Sequence, residues 1–238
     1  MFDASQEAIQ RMFCENRFTA EEKNRFHTII QAFTRLYYDF PKQTWAATKW
    51  RGVQIFKAPT DMWVYQELIH EIRPDLIIET GTCRGGSALY MADLLRLEGL
   101  KNSMVLTIDI DGSKCDSKLE GDPNIIREIG SSVSVEVFEK VKKMCEGGKK
   151  VMVILDSDHS KEHVMNELAW YGPLVSVGSI LIVEDTIVNG NPVMADHGPG
   201  PKEALDEWHV FHPEFEVNLM CEKFMLTFNR GGYLERKA

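Results

Sequence analysis

The stretch from Asp75 to Leu95 constrains the fold of this chain more than any other. It begins with an apolar run, Leu76 to Ile78, that is too short for a helix and suits a central parallel strand buried on both faces. A glycine-rich turn with the pattern Glu-x-Gly-x-x-x-Gly-Gly-Ser occupies residues 79–87, and apolar residues then recur at helical spacing. The stretch therefore predicts a strand, a glycine turn and a helix, the first half of a nucleotide-binding crossover.

The spacing of the glycines indicates which cofactor the turn would hold. Three residues separate Gly81 from Gly85, whereas the dinucleotide fingerprint G-x-G-x-x-G has one at that place, so a nicotinamide cofactor is disfavoured. An acidic residue, a glycine and a Gly-Gly-Ser helix entry resemble motif I of class I S-adenosylmethionine-dependent methyltransferases. The resemblance implies that this loop binds the methionine part of the cofactor through Glu79, Gly81, Thr82, Gly85 and Ser87. An ordinary glycine turn in some other αβ protein is the alternative.

Further apolar runs extend the pattern into a mostly parallel sheet. The chain is predicted to form one α/β fold, a Rossmann-like three-layer sandwich with a seven-stranded sheet. The later strands are expected at Met104–Ile110, Asn124–Ile129, Val151–Leu155 and Ile180–Val183, with Phe215–Leu219 and Phe224–Phe228 as a closing antiparallel pair. Helices are expected at Asp61–Ile72, with Thr60 or Asp61 as its N-cap, and at Val133–Met144, Ser160–Leu174 and Lys202–His209.

Residues 1–48 are expected to form a helical arm, and residues 49–238 the main domain. Apolar side chains lie roughly on one face between Ala20 and Phe40, so the arm either packs on the sheet, shapes a substrate pocket or contacts a second subunit of a homo-oligomer. The loop from Thr186 to Pro201 is long enough to be a lid or a binding segment.

Charge and cysteine usage narrow the class of partner. The net charge is −9 and lysine and arginine form no face-length cluster, which argues against a nucleic-acid substrate. The five cysteines are scattered and never form a C-x-x-C pair, a pattern that suits a reducing cytoplasm. No export signal and no membrane-spanning run is apparent, so a cytoplasmic protein without a membrane span is expected.

Polar side chains follow the predicted strands at their carboxyl ends, where open parallel sheets bind ligands. Asp109 and Asp111 end the second strand and are candidates for binding a ribose diol. Ser131 follows the third strand, where an adenine would lie. The diol does not distinguish the adenosine of S-adenosylmethionine from that of NAD.

Two other strands end in carboxylates. Asp156 follows one strand and Glu184 and Asp185 follow the next, so neighbouring strands would bring three carboxylates into one small volume. A hard divalent cation relieves their repulsion, and Mg²⁺ suits such oxygen ligands. His159 lies three positions after Asp156 and is a candidate general base beside that cation, with Asp156 contributing to the same catalytic group. The alternatives are that the acids cap helices and that His159 is a cap or surface residue.

Several segments together resemble the cephalosporin hydroxylase family, which includes rhamnosyl and macrolide-sugar O-methyltransferases. They are KAPTDMWVYQELI, DLIIETGTCRGGSAL, VLTIDID, VILDSDHS, ILIVEDT, GPGPKEALDEW and FMLTFNRGGYL, and the likeness spans roughly Trp50 to Leu234. The resemblance implies a Rossmann-like methyltransferase fold, S-adenosylmethionine and Mg²⁺ as cofactors. It also implies metal ligation by Asp156, Glu184 and Asp185, with His159 at the position of the general base in sugar-methylating relatives.

These observations predict a Mg²⁺-dependent O-methyltransferase acting on a hydroxyl of a small molecule, most simply a sugar or a glycosylated metabolite. Two other classes stay open. One is an oxygenase whose iron is bound by the same carboxylates and His159, which would need a second positioned histidine. The other is a non-catalytic protein that binds the cofactor and keeps the fold for its oligomer surface.

Overall fold

The computed structural model describes residues 18–40 and 44–238, and its centre is a seven-stranded sheet. The strands are β1 Leu76–Thr80, β2 Met104–Asp109, β3 Ile125–Ile129, β4 Val151–Leu155, β5 Ile180–Val183, β6 Phe215–Val217 and β7 Tyr233–Arg236. Their order in the sheet is β3-β2-β1-β4-β5-β7-β6, and β1 to β5 are parallel, whereas β7 runs antiparallel to both β5 and β6. The predicted mostly parallel seven-stranded sheet is confirmed.

Helices cover both faces of the sheet, as a parallel sheet requires. They are α1 Ala20–Asp39, α2 Pro59–Ile72, α3 Gly86–Leu97, α4 Val135–Met144, α5 Lys161–Tyr171 and α6 Pro201–His209. A two-stranded hairpin, Lys49–Trp50 with Val53–Gln54, lies between α1 and α2. The parts of the predicted arm at 1–17 and 41–43 lie outside the described residues. No helix in the described part of the chain combines the length and the apolar character that crossing a membrane needs.

Alternating side chains of the strands divide the core into two layers. Ile77 and Met152 pack with Tyr65 of α2 and Leu89 of α3 on one face. On the other face Ile78 and Val153 pack with residues of α4, α5 and α6, among them Val137, Leu168 and Leu205. Every residue of β1, β4 and β5 is buried, so these strands are fixed from both sides. The three layers hold the carboxyl ends of the central strands at one edge.

The start of α2 differs from the prediction. The helix begins at Pro59, because proline at the first helical position needs no backbone donor, and its N-cap residue is Ala58. Asp61 is therefore not the cap. Its carboxylate accepts hydrogen bonds from the backbone N–H of Phe228 and the hydroxyl of Tyr233, each at 2.9 Å, and so ties α2 to the C-terminal segment.

The closing antiparallel pair has a different second strand from the one predicted. Phe224–Phe228 is not a strand; β6 pairs instead with Tyr233–Arg236, in a register that places Phe215 opposite Arg236. The Phe228 N–H is bound by Asp61 and the Thr227 hydroxyl accepts from the N–H of Asn229, so these backbone donors serve a loop rather than a sheet ladder.

Candidate active site

The carboxyl ends of β1, β4 and β5 lie side by side. Thr80 is paired with Leu155, and Leu155 with Val183. The ladder continues one residue further, since the N–H of Asp156 donates to the Thr80 carbonyl and that of Glu184 to the Leu155 carbonyl, both at 3.0 Å. Asp156 and Glu184 therefore leave the sheet at neighbouring points.

Three residues, Asp156, His159 and Asp185, form a group suited to a metal ion, referred to below as the metal group. Each offers one ligand atom, and these atoms lie within 4.8 Å of one another. His159 Nε2 lies 3.2 Å from Asp185 Oδ2 and 3.9 Å from Asp156 Oδ1. Burial raises the pKa of both aspartates, whereas for His159 burial lowers the pKa and the charges of Asp185 and Asp156 raise it, with a net rise. Two carboxylate oxygens and one imidazole are a reasonable donor set for a divalent cation.

Glu184 has other contacts. Its side chain is buried, and Oε1 accepts hydrogen bonds from the Lys57 ammonium and from the Tyr65 hydroxyl. The group of possible metal ligands thus consists of Asp156, His159 and Asp185. Glu184 lies next to this group but is bound to Lys57 and Tyr65. That Glu184 is a metal ligand stays a prediction.

Lys57 and Tyr65 are site residues that the sequence patterns missed. Lys57 is 2% exposed, and its Nζ lies 2.6 Å from Asp156 Oδ2. Burial alone would lower the pKa of this ammonium, but Asp156 and Glu184 raise it well above its ordinary value. The available signal was weak: Lys57 begins the first segment of the family resemblance, but nothing in its spacing indicated a contact with residues about 100 positions later.

The glycine turn at residues 79–87, called the donor loop below because it is predicted to bind the methyl donor, packs closely against other parts of the chain. Gly81 has a φ of +92°, and a Cβ there would lie 1.8 Å from the backbone oxygen of Asp156. A Cβ at Gly85, whose φ is +83°, would lie 2.5 Å from a methyl group of Leu119, and one at Gly86 would lie 2.2 Å from the carbonyl of Gln54. At Gly81 and Gly86 the obstacle is backbone, of Asp156 and of Gln54, so only glycine permits this close approach.

Glu79, Thr82 and Ser87, the other predicted residues of this loop, are buried. Glu79 Oε2 accepts a hydrogen bond of 2.6 Å from Thr107, whose hydroxyl lies 2.7 Å from that of Thr82. Burial raises the pKa of Glu79 to about 7. Its Oε1 has no hydrogen-bond partner among the described residues. An unpartnered carboxylate oxygen at a glycine turn fits a site for the ammonium of a methionine moiety.

Two cavities meet at the carboxyl edge of the sheet. They measure about 430 Å³ and about 400 Å³, and both are lined by Gly81, Cys83, Asp156 and Ser157. The first is also lined by His159, Asp185 and the donor loop, and the second by Asp109 and Ser131. A cofactor that runs from the second cavity to the glycine turn would therefore end beside the metal group.

The predicted ribose ligands differ in position. Asp109 lies at the second cavity, where its carboxylate accepts hydrogen bonds from the N–H groups of Cys83, at 2.7 Å, and Asp111, at 2.9 Å. Asp111 is exposed, and its carboxylate accepts from the N–H of Ser113. The geometry favours Asp109 as the residue that faces a ribose.

The remaining wall of the first cavity comes from two segments for which the sequence left several roles open. Tyr38 of α1 and Trp45 stack with ring centroids 5.1 Å apart, and the loop after β5 contributes Val188, Met194 and His197. The Tyr38 hydroxyl donates to the sulfur of Met194 at 3.1 Å. The helical arm and the long loop thus shape one pocket next to the metal group.

Comparison with known proteins agrees with this geometry. Residues 42–237 match the rhamnosyl O-methyltransferase/CmcI family. A rhamnosyl O-methyltransferase of Mycobacterium tuberculosis is 36% identical over 211 residues, which are 87% of this chain and 85% of that protein. Among solved structures, apo CmcI is 25% identical with a TM-score of 0.62, covering 84% of this chain and 85% of CmcI. CmcI with Mg and S-adenosylmethionine is 23% identical with a TM-score of 0.63, covering 84% and 86%.

These likenesses confirm the predicted family, the α/β fold of class I methyltransferases, and the predicted enzyme class, an O-methyltransferase that uses S-adenosylmethionine. S-adenosylmethionine and Mg²⁺, the two predicted cofactors, are both bound in a solved CmcI structure. The chain belongs to the rhamnosyl O-methyltransferase/CmcI family.

Proposed function

We propose that this enzyme is a Mg²⁺-dependent O-methyltransferase whose acceptor is a hydroxyl of a sugar or of a glycosylated small molecule. The observation that carries the proposal is the group of Asp156, His159 and Asp185 in the first cavity, with Asp156 also lining the second. The names of the relatives support a sugar acceptor, since those proteins are rhamnosyl O-methyltransferases. The Tyr38 and Trp45 rings offer an apolar wall against which a sugar ring can pack.

The chain's own residues contribute positioning and proton transfer. His159 Nε2 takes the proton of the acceptor hydroxyl, and the charge of Asp185, whose Oδ2 lies 3.2 Å from that nitrogen, stabilises the protonated imidazole. The acceptor oxygen then forms a bond to the methyl carbon as the carbon–sulfur bond breaks. The electron pair of the carbon–sulfur bond stays with sulfur. S-adenosylmethionine supplies an already activated methyl group, so orientation accounts for most of the acceleration.

Asp156 and Asp185 would hold the cation, together with Glu184 if that carboxylate turns from Lys57. A bound Mg²⁺ would supply positive charge that stabilises the deprotonated hydroxyl. The group contains one histidine among the residues that the structure describes, whereas a 2-His-1-carboxylate iron site needs two. This donor set favours the methyltransferase over the oxygenase.

The proposal is tested with a panel of glycosides, methyl-labelled S-adenosylmethionine, and Mg²⁺ or EDTA, with products identified by mass spectrometry. We expect methylation of a sugar hydroxyl that EDTA abolishes and Mg²⁺ restores. Asp185→Asn should reduce turnover by a factor of about 100 or more. Asp206→Asn is the matched control, because Asp206 is exposed on α6 and pairs with Lys202. Equal rates in EDTA and Mg²⁺ would exclude the metal role.

A further inference from the structure

Lys57 contacts Asp156, one carboxylate of the metal group, and the adjoining carboxylate of Glu184. Its ammonium bridges Asp156 Oδ2, at 2.6 Å, and Glu184 Oε1, and its side chain is almost fully buried. Lys57 does not line either of the two cavities at the carboxyl edge. A cation in this position cannot reach an acceptor, so its effect must pass through the carboxylates that it holds.

We propose that Lys57 is a built-in counter-cation that assembles the carboxylates of the active site before a metal binds. The part that concerns the metal rests on the proposed function above. Three carboxylates at the ends of two neighbouring strands repel one another when they are ionised. Besides His159, Lys57 is the cation that the described residues place in contact with them.

The geometry assigns different oxygens of Asp156 to different tasks. Lys57 binds Oδ2, whereas Oδ1 is the oxygen that faces His159, at 3.9 Å. The ammonium therefore fixes the rotation of the carboxylate and leaves one oxygen toward the metal group. Lys57 is a positioning residue in this sense, and Asp156 is the residue on which it acts.

Helix α2 supports the same arrangement. Lys57 lies two residues before its first residue, and Tyr65, two turns further along, donates to the same oxygen of Glu184 that Lys57 binds. Tyr65 is neutral and Lys57 is charged, so substitutions at the two positions separate the loss of a hydrogen bond from the loss of a positive charge.

The test is thermal unfolding of the full chain in EDTA and across a Mg²⁺ titration. In Lys57→Met the carboxylates of Asp156 and Glu184 lose the ammonium that contacts both of them, so we expect its melting temperature in EDTA to fall by at least about 5 °C. Mg²⁺ should raise the melting temperature of this variant more than that of the wild type, because the metal then replaces the missing charge.

Two variants serve as controls. Tyr65→Phe keeps the charge, so its response to Mg²⁺ should equal that of the wild type. Lys140→Met removes an exposed lysine that pairs with Glu128 and Glu136, and it should match the wild type in both conditions. Recovery of folded Lys57→Met only when Mg²⁺ is present would also support the proposal.

Three results would overturn the inference. One is a melting temperature of Lys57→Met in EDTA that equals that of the wild type. The second is a wild type that responds to Mg²⁺ and a variant that responds equally. The third is a variant that fails to fold with and without the metal. If the wild type itself does not respond to Mg²⁺, the metal assignment of the proposed function fails, and the melting temperature of Lys57→Met in EDTA alone then decides the role of Lys57.

Discussion

In the proposed mechanism, His159 is the residue on which the chemistry depends most directly. A general base typically contributes a factor of about 100 to 10,000, so His159→Ala should reduce kcat by that amount on the true acceptor. Cofactor binding should be nearly unchanged, because His159 lies outside the donor loop and the second cavity, where we expect the cofactor to bind. Calorimetry with S-adenosylhomocysteine and single-turnover rates measure the two effects separately.

His27→Ala is the control for this prediction, because His27 is exposed on α1. The imidazole lies 3.2 Å from Asp185 Oδ2, close enough to act as a metal ligand as well as a base. A variant that loses Mg²⁺ affinity and kcat together would assign His159 to the metal. Unchanged turnover would remove it from both roles.

For single residues, the sequence predicts where a charged side chain lies better than it predicts which side chains it contacts. Asp156 and Asp185 each follow a strongly apolar strand, so their place at the sheet edge follows from the strand assignment alone. Lys57 lies just before α2 and Tyr65 in the middle of it, so their contact with Glu184 depends on how α2 packs on the sheet. Contacts between segments that are far apart in the chain produce no periodic pattern in a single sequence, so they cannot be predicted from it.

The same distinction explains which elements were predicted correctly. The bounds of β4 and β5 agree residue for residue with the predicted strands, because a continuous apolar run between polar ends admits little else. Phe224–Phe228 has a comparable apolar content but forms a loop, because Asp61 takes the N–H of Phe228. A buried carboxylate from α2 thus overrides local strand propensity.

Asp61 also makes the link between α2 and the C-terminal segment sensitive to pH. Burial raises its pKa from an ordinary 3.8 to about 7, so the folded state binds the proton more tightly than the unfolded state. The resulting stabilisation is complete below about pH 4 and is lost as the pH rises through about 7. At 1.36 kcal/mol for each pKa unit, the difference bounds the effect at about 4 kcal/mol.

Asp61→Asn cannot titrate, so its free energy of unfolding should decline less between about pH 5 and pH 8 than that of the wild type. Urea unfolding at several pH values measures both curves. Glu79 titrates near the same pH and is present in both proteins, so its contribution cancels in the comparison. Parallel curves would show that the Asp61 carboxyl is not the titrating group.

At the scale of the whole molecule, helix α1 has one side at the first cavity and the other side exposed on the protein surface. Its buried side includes Tyr38, which lines the first cavity. Its other side presents a row of exposed apolar residues at helical spacing, Phe26, Ile29, Phe33 and Leu36. Leu36 is 60% exposed. Such a face on a chain with a net charge of −9 is consistent with the predicted homo-oligomer, which stays a prediction.

Sedimentation of the wild type and of the double variant Phe33→Glu/Leu36→Glu tests this prediction. We expect the wild type to sediment as an oligomer, and the variant as a 27.2 kDa monomer, because two carboxylates on this face cannot be desolvated without partners. Leu97→Glu, at an exposed position on α3, should leave the oligomer intact.

Since Tyr38 lies on the buried side of α1, the monomeric variant should still bind S-adenosylhomocysteine, whereas its acceptor KM should rise if assembly holds α1 over the pocket. A monomeric wild type would assign the exposed face to some other partner and would leave the pocket complete within one chain.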